Sequence, residues 1–249
     1  MCYRIHVLFK PSFAKGVCPR MSFFVDLFLL LPAGLVFVAV TLFAYLFGAI
    51  PFAMMVGKIF FKVNLLKEGS GNLGATNTFR ILGAKAGIGI LLLDMAKGAI
   101  PVFLARSIAG AAGWDQALSA WLMIAAALAA IIGHTASPYI RFKGGKGAAT
   151  TAGVMFALVP VVFVISAAIF FSTTAITRYV SVGTMVTAVS FPLWTALVYN
   201  NWPLTLFAAV IAVIVPIFHR ANIKRLREGS EPRFSWKDRG KRTRPSESE

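Results

Sequence analysis

Six long apolar stretches, at residues 31–60, 86–105, 117–132, 148–172, 185–198 and 203–218, fill most of the chain between its polar ends. A helix needs about 20 apolar residues to cross a hydrocarbon core, so this succession restricts the fold to an all-α polytopic membrane protein. Composition agrees: 58% of residues are hydrophobic and only nine are acidic, outside the range of soluble globular domains. Pro51 lies inside the first stretch, whose surplus length is absorbed by tilt, a kink or an interfacial segment. Pro160 interrupts the fourth, which reads either as one kinked span or as a hairpin of two short segments.

The formal net charge is +16. The basic residues are scattered through the short segments between apolar runs and form no single basic face, which argues against nucleic acid and for anionic lipids and a phosphorylated substrate. Lys and Arg concentrate in cytoplasmic loops. The segments near Arg80, Lys143 and Arg178 and after His219 are therefore assigned to the cytoplasm, and the charge-poor turns near Gly110, Pro160 and Asn201 to the outside. That alternation requires seven transmembrane helices, two of them a short hairpin around Pro160, with the N-terminus outside and the C-terminus cytoplasmic. Residues 1–30 read as an N-terminal extension, 31–231 as the membrane domain and 232–249 as a basic tail, of a composition expected to be disordered. Arg4, Lys10, Lys15 and Arg20 would then lie outside, against the rule; translation from Met21 would remove the conflict. Cys2 and Cys18 have no metal-ligand spacing and no later partner, and no role is assigned to them.

The polar segments thus gather on one membrane face. The first is G-S-G-N-L-G-A-T-N-T-F-R, residues 69–80. Gly69, Gly71 and Gly74 permit positive φ and close approach, so successive N–H groups can surround an anion. Ser70, Asn72, Thr76 and Asn77 add short donors, and Arg80 adds a planar fork matched to phosphate. By itself the segment is equally well an ordinary turn. The second, H-T-A-S-P-Y-I-R-F-K-G-G-K-G, sets Lys143 and Lys146 around Gly144 and Gly145, two ammonium groups beside exposed backbone donors, all four expected to bind phosphate. It is not a P-loop, because Ile140 and Gly147 stand where that motif needs a glycine and a hydroxyl, and no acidic residue is placed to hold Mg²⁺ for an ATPase. The third is H-R-A-N-I-K-R-L-R-E-G-S-E, in which His219 and Asn222, three residues apart, share a helix face. Spacing alone would make them an interfacial side chain and a cap. Asp94 and Lys97, also three apart and within an apolar stretch, read as a structural ion pair, since ionisable groups at membrane depth are costly. No carboxylate pair, Ser-His-Asp set or metal cluster can be drawn, and no Asp follows His134 at the His-x4-Asp spacing of the common glycerolipid acyltransferases. No metal or cofactor is expected.

G-S-G-N-L-G-A-T-N-T-F-R, then G-H followed by K-G-G-K-G-A-A-T, then H-x-x-N-I-x-R-L-x-x-G-S-E closely resembles the bacterial acyl-phosphate:glycerol-3-phosphate acyltransferase family, the integral membrane type called PlsY. The resemblance spans residues 35–231, with Ala148 for the usual Val, Ser230 for the usual Thr, and the proline after Gly133-His134 displaced to Pro138. It implies a bacterial inner-membrane enzyme with a cytoplasmic-face site, moving a long-chain acyl group from acyl phosphate to the 1-hydroxyl of glycerol 3-phosphate. It assigns importance to Ser70 and Arg80, to Lys143, Gly144 and Gly145, and to His219 and Asn222. Ser181, in T-R-Y-V-S, matches a phosphate-contacting serine, and Glu231 is expected to be structural. The implied substrates are glycerol 3-phosphate and acyl phosphate; membrane lipids are the other expected partners, with no nucleic acid and no cofactor, and the enzyme is expected to be a monomer.

The residues fit that chemistry. Both substrates carry phosphate, and an acyl phosphate is a mixed anhydride that needs little beyond positioning and charge stabilisation. The candidate catalytic residues are Ser70, His219 and Asn222. Either a substrate phosphate oxygen takes the proton while Asn222 orients the hydroxyl and Lys143 and Arg80 neutralise charge, or His219 is the general base. A transporter of a phosphorylated metabolite is the alternative function, but transporters place their charged site near the midplane between repeated halves, whereas here the polar groups sit at span ends and no repeat is visible. A scaffold protein would leave the three motifs unexplained.

Overall fold

The computed structural model describes residues 32–234. The N-terminal extension, the start at Met21, both cysteines and the tail from residue 235 onward lie outside the described residues. Those described form ten α-helices, one 3₁₀ turn and no strand. They are α1 (Ala33–Gly48), α2 (Phe52–Phe60), α3 (Ala75–Leu82), α4 (Ala84–Ala111), α5 (Gln116–Thr135), the turn Pro138–Ile140, α6 (Ala148–Leu158), α7 (Pro160–Thr177), α8 (Val180–Tyr199), α9 (Trp202–Phe218) and α10 (Arg220–Arg227).

Local chemistry sets the boundaries. Pro51 has no N–H to donate and divides α1 from α2. Pro160 takes the first position of α7, where its missing donor costs nothing. Asp115 and Asn201 cap α5 and α9 by accepting from Leu118 N–H at 2.8 Å and Leu204 N–H at 3.2 Å. Pro101, Pro192 and Pro216 lie inside α4, α8 and α9.

Five segments are long and apolar enough to cross a membrane: Ala33–Phe60, Ala84–Ala111, Gln116–Ile140, Pro160–Thr177 and Val180–Tyr199. A sixth arises if α9 and α10, bent by 55°, count as one span. The chain is therefore a multi-pass membrane protein. α6 has 11 residues, about 16 Å of helix, short of the hydrocarbon thickness. It is instead wrapped by protein, with Thr150, Gly153, Val154, Met155, Ala157 and Leu158 all buried. The hairpin expected across 148–172 accordingly breaks at Val159 into unequal arms of 11 and 18 residues.

Glycines bring the helices together. A Cβ on Gly98 of α4 would overlap the Thr150 carbonyl of α6, and one on Gly153 of α6 would overlap the Met95 carbonyl of α4. Gly48 of α1 meets Ala130, and Gly133 of α5 meets Tyr45, in the same way. Close backbone approach through small residues is what holds helices together in lipid, where burial of apolar area supplies no drive. Among the described residues three apolar clusters result, one joining Val36, Val40, Ile108 and Leu122, a second joining Val102, Val154, Phe191, Phe207 and Ile211, and a third joining Ala53, Leu65, Leu73, Ile90 and Ile140. Val38, Val164, Val189, Leu197 and Val213 are exposed on the outer surface, the inverse of a soluble protein's arrangement. At the α1–α2 break, Lys97 Nζ donates to Asp94 Oδ1 at 2.9 Å and to the Ile50 carbonyl at 2.9 Å, so the expected ion pair forms and also ties α4 to that break.

Candidate active site

A cavity of about 740 Å³ opens where the polar segments meet. Its polar lining includes Ser70, Asn72, Thr76, Asn77, Arg80, Lys146, Ser181, His219, Asn222, Arg225 and Glu231, and Leu91, Met155, Phe163, Phe170, Phe171 and Phe191 continue its wall as apolar surface. The first motif is loop only as far as Gly74, which caps α3. Thr76, Asn77 and Arg80 therefore stand on a helix whose first N–H groups have no intrahelical partner and whose dipole favours an anion. Gly69 (φ 57°) and Gly71 (φ 66°) occupy the left-handed region. A side chain on Gly69 would also meet Asn77 Oδ1.

That asparagine organises the loop. Asn77 Oδ1 accepts from Ser70 N–H at 3.0 Å, and its amide donates to the carbonyls of Glu68 at 3.1 Å and Leu65 at 3.4 Å. Both of its donor positions are thus used in shaping the loop, and its expected direct part in phosphate binding gives way to a positioning one.

The second motif also departs from expectation. Lys143 is exposed and, like Gly144 and Gly145, does not line the cavity; Lys146 does. The Gly144 and Gly145 N–H groups are not free for an anion, because they donate to the carbonyls of Thr135 at 3.1 Å and His134 at 3.2 Å. These glycines are needed for close packing: a Cβ on Gly144 would overlap the His134 and Thr135 carbonyls, and one on Gly145 would overlap His134 Nε2. Packed this tightly under the end of α5, the loop sends Lys146 inward.

The third motif closes a network. Lys146 Nζ donates to Asn222 Oδ1. The Asn222 amide donates to Glu231 Oε1 at 2.6 Å, Ser181 Oγ donates to the same oxygen at 2.8 Å, and Arg225 Nε donates to Glu231 Oε2 at 2.7 Å. Asn222 is 6% exposed, and both ends of its amide are fixed. Burial, with the positive charges of Arg225 and Arg80, lowers the Lys146 ammonium to about 8, against the opposing pull of Glu231. Burial would raise Glu231, but the bonds from Asn222, Arg225 and Ser181 outweigh it and hold the carboxyl below its usual value. His219 is also lowered, mainly by burial, although its bond to the Val215 carbonyl and the charge of Glu231 work the other way. His219 Nδ1 lies 2.8 Å from that carbonyl, which requires the proton on Nδ1 and leaves the Nε2 lone pair of the neutral ring available.

Arg225 was assigned no role from sequence, although it stands three residues beyond Asn222 on the same helix face. Residues 232–234, placed in the tail by composition, pack across the site: Phe234 N–H donates to the Arg178 carbonyl at 2.6 Å, and its ring lies 5.5 Å from that of Phe79. Among the described residues no group of three or more His, Cys, Asp or Glu is arranged to hold a metal ion.

Residues 38–229 match the family described as Glycerol-3-phosphate acyltransferase. A protein of that name from Lacticaseibacillus casei is 44% identical over 188 residues, 76% of this chain and 87% of the relative. Another from Macrococcus caseolyticus is 43% identical over 197 residues, 79% of this chain and 96% of the relative. The crystal structure of PlsY (YgiH), an integral membrane glycerol 3-phosphate acyltransferase, in its glycerol 3-phosphate form, superposes with a TM-score of 0.72 at 36% identity, covering 80% of this chain and 96% of that one. Its lysophosphatidic acid form gives 0.70 at 35% identity, covering 80% and 95%.

Proposed function

The chain belongs to the glycerol-3-phosphate acyltransferase family, and from that membership we infer that it is a membrane enzyme acylating glycerol 3-phosphate to lysophosphatidic acid, the first acylation of phospholipid biosynthesis. The donor in our reading is a long-chain acyl phosphate. The glycerol 1-hydroxyl oxygen attacks the acyl carbon, the bond from that carbon to the phosphate oxygen breaks, and the hydroxyl proton leaves with inorganic phosphate.

The observation that carries this reading is the two-sided cavity, in which Arg80, Lys146 and Arg225 share one space with an aromatic and aliphatic wall. A ligand with one anionic end and one long apolar end fills it. Arg80 and Lys146 bind phosphate, with Ser70, Asn72 and Thr76 as additional donors. Lys143 remains a peripheral cation in this scheme, and Gly144 and Gly145 act through the placement of Lys146. Asn222, held by Lys146 and Glu231, orients the attacking hydroxyl, and Ser181 and Glu231 hold Asn222. The proton passes to a substrate phosphate oxygen, with the neutral His219 as the competing base. Since the leaving group is an anhydride phosphate, charge stabilisation by fixed cations supplies the main acceleration.

The topology we favour has seven crossings, counting α6 as the short one, with the cavity on the cytoplasmic face of a bacterial inner membrane and the N-terminus outside. It is supported by Arg80, Lys146, Arg178 and the basic α10 all belonging to segments on one side of that alternation. We take the enzyme to be a monomer that needs no cofactor.

The test is lysophosphatidic acid formation by the purified protein given glycerol 3-phosphate with palmitoyl phosphate, and in parallel with palmitoyl-CoA, without metal, with phosphate release read in the first arm and free CoA thiol in the second. Release with palmitoyl phosphate alone, accompanied by lysophosphatidic acid, establishes reaction and donor together. Binding of glycerol 3-phosphate without turnover from either donor would refute the enzyme reading in favour of transport.

A further inference from the structure

Asp94 is 1% exposed and lines the cavity, yet only half of its carboxylate is accounted for. Oδ1 holds Lys97 Nζ at 2.9 Å. Oδ2 is buried and has no hydrogen-bond partner among the described residues, a costly condition for a carboxylate oxygen unless a ligand meets it. His134 Nδ1 stands 3.8 Å from Oδ1, too far for a hydrogen bond. The connection to the reacting groups is short: His134 packs under Gly145, Lys146 is the next residue, and Lys146 bonds Asn222.

We propose that Asp94 Oδ2 accepts the 2-hydroxyl of glycerol 3-phosphate, making Asp94 a specificity-determining residue; the proposal rests on glycerol 3-phosphate being the acyl acceptor. An ionised carboxylate only accepts hydrogen bonds, and it repels phosphate. The other carboxylate of the cavity, Glu231, is already bonded by Ser181, Asn222 and Arg225, whereas Asp94 Oδ2 is open toward a neutral donor. The substrate offers two hydroxyl donors. The 1-hydroxyl must lose its proton, and a carboxylate whose charge is already balanced by Lys97 is suited to holding a proton donor more than to deprotonating it. The 2-hydroxyl keeps its proton throughout. The substrate is then held at three points, its phosphate by Arg80 and Lys146, its 1-hydroxyl by Asn222 and its 2-hydroxyl by Asp94, which fixes which carbon is acylated.

The experiment compares kcat/KM for glycerol 3-phosphate and for 3-hydroxypropyl phosphate, which lacks only the 2-hydroxyl, using palmitoyl phosphate as donor. The wild type is expected to prefer glycerol 3-phosphate by about 10- to 100-fold, the usual worth of a hydrogen bond to a buried charge. A double variant, Asp94→Leu with Lys97→Met, removes both charges and the acceptor oxygens together and avoids a stranded lysine. Its preference is expected to shrink to about threefold or less, a ratio that a general loss of folded enzyme leaves unchanged. A folded double variant with the wild-type ratio, or a wild type using both acceptors equally, overturns the proposal. Should the variant fail to fold, the wild type is assayed with 2-deoxy-2-fluoroglycerol 3-phosphate, whose fluorine cannot donate. Rejection as strong as that of the 2-deoxy compound supports an acceptor at this position, and turnover equal to that of glycerol 3-phosphate overturns it. A wild type that acylates none of the three removes the acceptor reading itself, and the inference with it.

Discussion

Glu231→Gln is a near-isosteric change whose effect can be worked out bond by bond. Oε1 accepts from Ser181 and Asn222, and Oε2 accepts from Arg225 Nε. Glutamine keeps one oxygen. Its better orientation leaves that oxygen to Ser181 and Asn222 and turns an NH₂ toward Arg225, donor against donor. A hydrogen bond to a charged group contributes about 1.5–3 kcal/mol. The Glu231 side chain is only 8% exposed but Arg225 is 32% exposed, so water relieves part of the loss, and about 1–2 kcal/mol is the expected destabilisation. For a chain of this size that corresponds to a fall of about 2–8 °C in Tm, measured by intrinsic tryptophan fluorescence in detergent at one scan rate. Because the folded carboxyl is held below 4.5, its usual value, this contribution is fully present above pH 4.5 and is lost as pH falls through the lowered value. The gap between wild type and variant should therefore narrow in acid. Activity should fall about tenfold, about 1.4 kcal/mol in the transition state, as Asn222 loses its charged anchor. A variant with unchanged Tm, unchanged turnover and no pH-dependent gap would refute the network as the support of Asn222.

Lys146 loses its charge above about pH 8, so KM for glycerol 3-phosphate in the wild type should rise above that pH, whereas Lys146→Arg should stay flat because a guanidinium keeps its proton; parallel profiles would contradict the assignment. His219→Gln should retain at least about a tenth of wild-type turnover if substrate phosphate takes the proton. A log-linear acid limb in the wild type, with a midpoint below 6.5 and absent from the variant, would reassign the base to His219. Gly98→Ala should destabilise by about 1–3 kcal/mol through overlap with the Thr150 carbonyl. Gly110→Ala, on the same helix with nothing within 4 Å, should be neutral or stabilising in the same melting assay.

Sequence periodicity and proline positions were enough to place most helices, since α4, α5, α8 and α9 coincide with apolar stretches and Pro51 and Pro160 mark real breaks. What escaped was anything decided by a distant partner. Lys143 and Lys146 flank the same glycine pair, and spacing cannot say which one turns inward; the Thr135 and His134 carbonyls decide it by binding the loop. The same contact takes up the Gly144 and Gly145 N–H groups expected to face an anion, because a glycine needed for close packing looks identical in sequence to one needed for its free N–H. Asn77 was expected to face phosphate, and only its bonds to residues 65–70 reveal a structural use. Asp94 was legible as half of an ion pair, but an unpartnered second oxygen has no signature in a sequence.

The position of Glu231 in the chain has a consequence for biosynthesis. The ribosome makes the glycine-rich segment 69–80 more than 150 residues before it makes the carboxylate that anchors Asn222. Every spanning helix described here ends by residue 227, so a released chain ending just after α10 could insert and pack while its Asn222 amide is held by Lys146 alone and its cavity lacks Phe234. Such a product would accumulate in the bilayer folded but with its activity lowered at least as far as that of Glu231→Gln, and full competence would need residues 231–234.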